Sequence, residues 1–427
     1  MVLPRSRLFW SVSIGHLVID IFNASVAVQL TFVSGHILSL TNTQIGFAIS
    51  LYQLVSALSQ PFAGWLADRT GGRSLGAGGV AATVSMQALA LLLAVTTHNY
   101  ALMVVPLVLA AVGNGTYHPV GTMHASSNAA TRSGDLSIFF MMGQLGAGLG
   151  PAITGMLLDR FSSANAVFTQ ALGGFEVRLV EHGSITPILV MALFALPSIL
   201  YMLVSMPSRD LFHQQNGASV KGTTRRRLPM MPLLMLGAMV AMRGLVNPGM
   251  VAFLPRLFQS RGWSPAEYGL VTSSFWIAGA FVGLIAGQLA VRFGDRLVIG
   301  VTLLIASPAV FLLGSATDAS AYLLAIIAGA SSSASHPLIV AMTQRLLPGG
   351  RGLASGVGLG SIFGMGALGT LVIGALSDSL GIETAFRIIA VVTVFNGLLA
   401  LRLPGFAPTE PPVTGRDESR EVLPEAA

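Results

Sequence analysis

The 427-residue chain has no cysteine. Disulfides, thiolate metal sites and cysteine nucleophiles are therefore excluded, and the redox compartment stays open. Charge is scarce as well. Charged residues make up 9% of the chain, against roughly 25% in a soluble domain. Lys221 is the one lysine and the other cations are arginines. So few polar side chains cannot cover a water-facing surface of this size, and a large soluble enzyme is a poor fit. No phosphate-cradling glycine loop opens a helix after a strand, which argues against ATP coupling. Paired acids and HxxxH spacing are also missing, which argues against an intramembrane enzyme or metal site.

Apolar residues fill the space. They make up 53% of the chain, and mean hydropathy is +0.74. An integral membrane protein fits. Breaks at charged and turn-rich positions leave twelve apolar segments, near 9–33, 44–66, 75–96, 100–124, 135–158, 186–206, 230–257, 266–291, 297–316, 320–344, 353–378 and 384–404. Each is long enough for a helix to cross the hydrocarbon, and helices satisfy their own backbone in lipid. The first is too long for a signal-peptide core and is read as a retained span. With the N-terminus in the cytoplasm, 17 Arg and Lys fall inside and 5 outside, with Arg243 within a span. Both termini are thus expected in the cytoplasm, and the localisation expected is the inner membrane. The net charge of +6 is read as this topology signal and not as a nucleic-acid footprint.

The expected organisation is a six-helix bundle over 1–206, a cytoplasmic linker over 207–229, a second bundle over 230–404 and a disordered tail over 405–427. The linker ends in Arg225-Arg226-Arg227, which membrane lipid head groups could also attract. The halves repeat. Gly64-Trp65-Leu66-Ala67-Asp68-Arg69 recurs as Gly287-Gln288-Leu289-Ala290-Val291-Arg292, and Gly46 aligns with Gly269 at the same offset of 223. Tyr117-His118-Pro119 returns as Ser335-His336-Pro337, and Arg132 and Asp159 return as Arg351 and Asp378.

Gly64-x-x-x-Asp68-Arg69-x-Gly71-x-Arg73 resembles the signature of the major facilitator superfamily between spans two and three. The resemblance sharpens toward the fosmidomycin-resistance family of drug exporters. It rests on Gly15-His16-Leu17-Val18-Ile19-Asp20, Leu58-Ser59-Gln60-Pro61, Tyr117-His118-Pro119 and Gly146-x-x-x-Gly150-Pro151. Leu346-Leu347-Pro348-Gly349 and Gly364-Met365-Gly366 add to it. It implies an all-α fold of twelve transmembrane helices in two pseudo-symmetric six-helix bundles, and an exporter that works by rocking them. Gly150-Pro151 resembles a motif of antiporters in the superfamily, and its counterpart Gly369-Thr370 lacks the proline. The family usually places an acid after the His-Pro of span four. Here Val120 stands there, so a proton role for that acid does not transfer.

Of the 17 acidic residues, Asp20 alone sits mid-span, and of the cations Arg243 alone does. A mid-membrane charge costs at least ~2.5–3.5 kcal/mol, so it faces a cavity or a partner. The two are offset by 223 and occupy equivalent places in spans one and seven. One reading makes them a buried ion pair that locks the halves. The other gives Asp20, with His16 one turn earlier, the coupling proton, and gives Arg243 an anionic substrate. Separating the pair would then favour protonation of Asp20. Asn23, Asn114, His118 and His336 are the further substrate-binding candidates. Pro119 and Pro337 are expected to break spans four and ten beside them. Asp68, Arg69, Arg73 and Arg132 are expected to form a gate at the cytoplasmic end. Metal binding by His16, His118 and His336 is considered and not adopted.

The function expected is proton-coupled export of small polar or anionic compounds, with antibiotics such as phosphonates among them. A monomer without cofactor is expected, with protons and the small molecule as partners. An uptake symporter for an organic anion or sugar is the first alternative, and a non-transporting membrane sensor the second. Cells lacking an exporter would be sensitised, and cells lacking an importer would be starved. A sensor would be expected to carry an added soluble domain.

Overall fold

The computed structural model describes residues 6–70, 72–125, 132–162, 191–206, 230–346 and 351–403. Among them are twelve α-helices and no strand. The first half holds α1 (Arg7–Val33, continued by a π turn, Ser34–Leu38), α2 (Asn42–Thr70), α3 (Arg73–Thr97), α4 (Tyr100–Ala125), α5 (Arg132–Ser162) and α6 (Leu196–Ser205). The second holds α7 (Met230–Gln259), α8 (Pro265–Phe293), α9 (Asp295–Leu313), α10 (Ser320–Leu346), α11 (Arg351–Leu380) and α12 (Ile382–Leu401). Eight are long and apolar enough to cross a membrane by that test alone, and α8, bent by 47°, makes nine. Of the rest, α2 is diluted by Gln53, Gln60, Asp68 and Arg69, and α6 is described over only ten residues. The expected linker and tail lie outside the described residues.

Local signals set the helix ends. Ser264 and Glu267 form a capping box before Pro265, whose missing N–H costs nothing in the first turn. Thr41 and Gln44 make the same reciprocal bonds, at 2.9 and 3.1 Å, at the head of α2. Gly294 and Gly381 take φ of +86° and +84°, which lets α9 and α12 start directly after α8 and α11.

The packing repeats between halves. In the first, α1 lies on α5, α3 on α4 and α2 on α4; in the second, α7 lies on α11, α9 on α10 and α8 on α10. Lipid tails are as apolar as leucine, so close approach and not hydrophobic expulsion drives this association. Glycine permits the approach. A Cβ at Gly146 or Gly150 of α5 would enter the carbonyls of Leu17 or Ile21 on α1, and one at Gly369 of α11 would enter that of Leu245 on α7. Outward-facing Leu58, Phe194, Val204, Leu323 and Phe395 are exposed, as a lipid-facing surface requires.

Two seams join the halves, α2 against α11 and α5 against α8. Gly46 meets Gly374 in one, and Gly155 meets Gly269 in the other. Ser50 Oγ donates to the carbonyl of Ala367 at 2.5 Å, and Ser273 Oγ accepts from the Ala152 N–H at 2.8 Å. At the end near residue 42 the α2–α11 seam is latched. Asp378 accepts from the backbone N–H groups of Asn42 and Thr43 at 2.9 and 2.8 Å, and from Thr43 Oγ1 at 2.6 Å. Arg256 Nε donates to Asn42 Oδ1 at 3.1 Å, and Gln259 Nε2 to the Thr31 carbonyl at 2.7 Å. One or two turns further along the same helix faces, the seams part. Phe281, one turn beyond Ile277, is 62% exposed, and Phe363, one turn before Ala367, is 38% exposed. Met141 and Gln144 on α5 are exposed too. The protein is closed at the end near residue 42 and parted toward the end that carries its N-terminus.

Candidate functional site

Asp20 lies halfway along α1, and His16 precedes it by one turn on the same face. His16 Nε2 is 3.3 Å from Asp20 Oδ2. From α4, His118 Nε2 reaches within 3.7 Å of Asp20 Oδ1. The third wall is α5. His16 Nδ1 is 2.8 Å from the carbonyl of Phe139, and the Phe139 ring stacks on the imidazole at 4.1 Å. Gly143 follows one turn later. A Cβ there would stand 2.7 Å from Asp20 Oδ2, so only glycine lets α5 close over the acid. The His118 and Asp20 side chains remain 22% and 14% exposed.

These contacts bear on where a proton could sit. A carbonyl only accepts, so the Phe139 contact requires a proton on His16 Nδ1. In neutral imidazole the other nitrogen, Nε2, is then a bare lone pair aimed at a carboxyl oxygen. Two lone pairs repel. The contact is attractive only with one proton between them, held as a carboxylic acid on Asp20 or as imidazolium on His16.

Arg243 is elsewhere. It is buried on α7, and its Nε donates to Ser335 Oγ on α10 at 2.8 Å. Among the described residues no carboxylate lies in ion-pair contact with it, and Asp20 is paired with histidines. Of the two readings of these charges, the buried ion pair that locks the halves has no such contact here among the described residues.

Asn114 ties α4 to α2 through Nδ2 and Ser56 Oγ at 2.9 Å, and its Oδ1 is buried without a partner. Asn23 is half-buried. The His336 side chain lies outside the described residues. The expected helix breaks are absent: α4 runs through Pro119, and α10 through Pro337, without interruption. A proline deletes one helical bond, and the helices around it hold the rest of the turn in place. Of the gate residues, Arg69 lies over the Trp65 ring at 3.8 Å on the last turn of α2, and Arg73 starts α3. The side chains of Asp68 and Arg132 lie outside the described residues. Val120 is buried against Gly72 and Gly76, so an acid at this position would face α3 and not Asp20.

His16, Asp20 and His118 each offer a ligand atom, all within 4.8 Å of one another. The sequence analysis saw no metal-ligand spacing because one of the three comes from another helix. A proton shared by His16 and Asp20 would make the same contact attractive. Sequence reasoning also missed Phe139, whose role is a backbone carbonyl that any residue would supply, and Ser335, which appeared only as the repeat partner of Tyr117.

The family model of the Major Facilitator Superfamily matches residues 12–264 and 233–426. The chain belongs to this superfamily. Its members are membrane transporters, not enzymes. The chain is 24% identical over 403 residues to the fosmidomycin resistance protein of Escherichia coli (strain K12), covering 92% of each. It is 27% identical over 369 residues to the MFS-type transporter YfnC of Bacillus subtilis (strain 168), covering 86% of this chain and 85% of that one. An inward-facing, unoccupied bacterial homolog of the human lysosomal transporter Spinster superposes with a TM-score of 0.74 at 17% identity, covering 94% of this chain and 97% of that one. A D-xylose–proton symporter superposes with 0.70 at 16%, covering 93% and 97%. These likenesses fix the fold: this major facilitator chain is a multi-pass, all-α membrane protein that carries small molecules.

Proposed function

We propose that this major facilitator protein couples proton entry to the export of small polar or anionic compounds by alternating access. The observation that carries the reading is the chain of contacts from the Phe139 carbonyl through His16 to Asp20, whose second link is attractive when the two side chains share a proton. Asp20 and His16 hold that proton, and His118 senses it through Oδ1. Arg243 binds the substrate in the other half, and Asn23, Asn114 and His336 are the further polar residues assigned to substrate binding. Export as the direction is supported by the fosmidomycin resistance relative and by Gly150-Pro151 on α5.

The working parts are the bundles over 1–206 and 230–404, joined by the linker over 207–229. With both termini in the cytoplasm of the inner membrane, the latched end faces outward and the parted end inward. Rocking would break the Asp378 latch and close the opposite end, where Asp68, Arg69, Arg73 and Arg132 form the gate. The protein works as a monomer.

The test uses purified protein in liposomes that contain a pH-sensitive dye. A screen of candidate compounds should find one whose movement is matched by proton counter-flow. Asp20→Asn should still bind that compound and should lose proton-driven accumulation. Accumulation at the wild-type level in this variant would overturn the proton assignment.

A further inference from the structure

Two imidazoles and one carboxylate, each a ligand for a transition metal ion, converge from two helices. His16, Asp20 and His118 bring ligand atoms within 4.8 Å of one another. Asp20 spans the pair. Its Oδ2 lies 3.3 Å from His16 Nε2, and its Oδ1 lies 3.7 Å from His118 Nε2. Zinc holds imidazole nitrogen and carboxylate oxygen at about 2.0–2.2 Å in a tetrahedron, which puts neighbouring ligands roughly 3.3–3.6 Å apart. The separations around Asp20 already match those of ligands that share one ion.

A second feature is independent of this spacing. His16 Nδ1 is tied to the Phe139 carbonyl at 2.8 Å, and the Phe139 ring stacks on the imidazole. A metal-bound histidine is usually held in this way: the far nitrogen gives its proton to a carbonyl, and the near one presents a lone pair to the ion. His16 is therefore oriented as a ligand before any ion arrives. The Asp20 and His118 side chains remain partly exposed, which gives an ion a way in. Two nitrogens and one oxygen suit zinc and its neighbours, whereas magnesium takes oxygen ligands in an octahedron. No cysteine competes for the metal.

We infer that His16 Nε2, Asp20 and His118 Nε2 form a binding site for a divalent transition metal ion of the zinc class, with water in the fourth position. The set takes two ligands from one face of α1 and the third from α4, and His336 has no part in it. The ion supplies a counter-charge to a mid-membrane carboxylate. It also occupies the group that the proposed coupling uses, so bound metal and coupling proton exclude one another.

The test uses detergent-purified full-length protein freed of any histidine tag and of metal. Zinc titrated by calorimetry should bind at one site with micromolar affinity, and magnesium should not compete. Cobalt should show the strong visible absorption of a four-ligand ion rather than the weak one of the hydrated ion. Asp20→Asn and His118→Gln should each weaken zinc binding by more than the roughly 10–100-fold that loss of a supporting hydrogen bond costs. His36→Gln, on the exposed turn after α1, should bind as the wild type does. Zinc should raise the melting temperature of the wild type by mass action and leave that of Asp20→Asn unchanged. The melting temperatures without metal show that each variant is folded. No binding at millimolar zinc, the cobalt spectrum of the hydrated ion, wild-type affinity in Asp20→Asn or His118→Gln, or an equal loss in His36→Gln would overturn the inference. A further arm rests on the transport reading: zinc should inhibit proton-driven accumulation in liposomes. Zinc bound at this site with accumulation unaffected would leave the metal site standing and remove Asp20 from coupling, so the two failures are distinguishable.

Discussion

Asp20 shows how much a single residue can carry when its neighbours are few. A carboxyl at mid-membrane costs at least ~2.5–3.5 kcal/mol. Here the cost is offset by a histidine whose far nitrogen is already committed to the Phe139 carbonyl. On the proposed coupling role, Asp20→Asn removes the exchangeable proton and should uncouple transport while leaving substrate binding in place. Gly143 belongs to the same scale. A methyl group at this position would stand 2.7 Å from Asp20 Oδ2, and overpacking of this kind costs about 1–3 kcal/mol. Gly143→Ala should therefore lower the melting temperature and impair coupling together. Gly287→Ala is the control, since nothing lies within 4 Å of its Cβ position. A helical alanine there should be neutral or stabilising by up to about 1 kcal/mol. Equal effects of the two substitutions in a thermal-unfolding assay would contradict the packing account. The sequence marked Asp20, His16 and Arg243 as exceptional because charge stands out in an apolar run. It left open whether Asp20 meets Arg243, because equivalence in a repeat is not contact.

At the scale of the element, the two seams are built alike and closed differently. Thr41 and Gln44 cap α2 as Ser264 and Glu267 cap α8. The next residue is Asn42 in one and Pro265 in the other. Asn42 and Thr43 offer adjacent N–H groups that one carboxylate can bridge, and Asp378 does so across the seam. Pro265 has no N–H, so the same pair of adjacent backbone donors is not repeated at the head of α8. Asp378 is the charged member of this latch. It is exposed to water, so its removal is worth about 1 kcal/mol, a several-fold change in the population of the closed end. Because the chain has no cysteine, one cysteine introduced at the buried seam position Ala367 can be followed alone. Its labelling by an impermeant maleimide should run several-fold faster when Asp378→Ala is added. An unchanged rate would show that the latch does not hold the seam. Helix positions were legible in the sequence from hydropathy and from capping residues. The latch was not, because an aspartate at the end of a span looks like any other solvated charge.

The whole molecule is closed at one end and parted at the other, and the membrane decides which end is which. Tags placed after residues 215 and 415 should report the cytoplasm, and one near 170 the opposite side. The motive is the 17-to-5 distribution of Arg and Lys between alternate loops. A signal from the outer face at either of the first two sites would reverse the assignment of the latched end.

The sequence by itself determined the membrane class, the all-helical fold, the twelve-segment repeat and the two mid-span charges. Each is a property of order along the chain. The bilayer turns a run of about 20 apolar residues into a helix with little help from distant residues. The tertiary structure decided what those charges meet. Three helices had to converge before Asp20 could find His118 and the Phe139 carbonyl. Arg243, on the other bundle, was turned toward Ser335 instead. Such contacts depend on helix rotation and on glycines that set how closely helices approach, and neither is written in hydropathy or in the repeat offset.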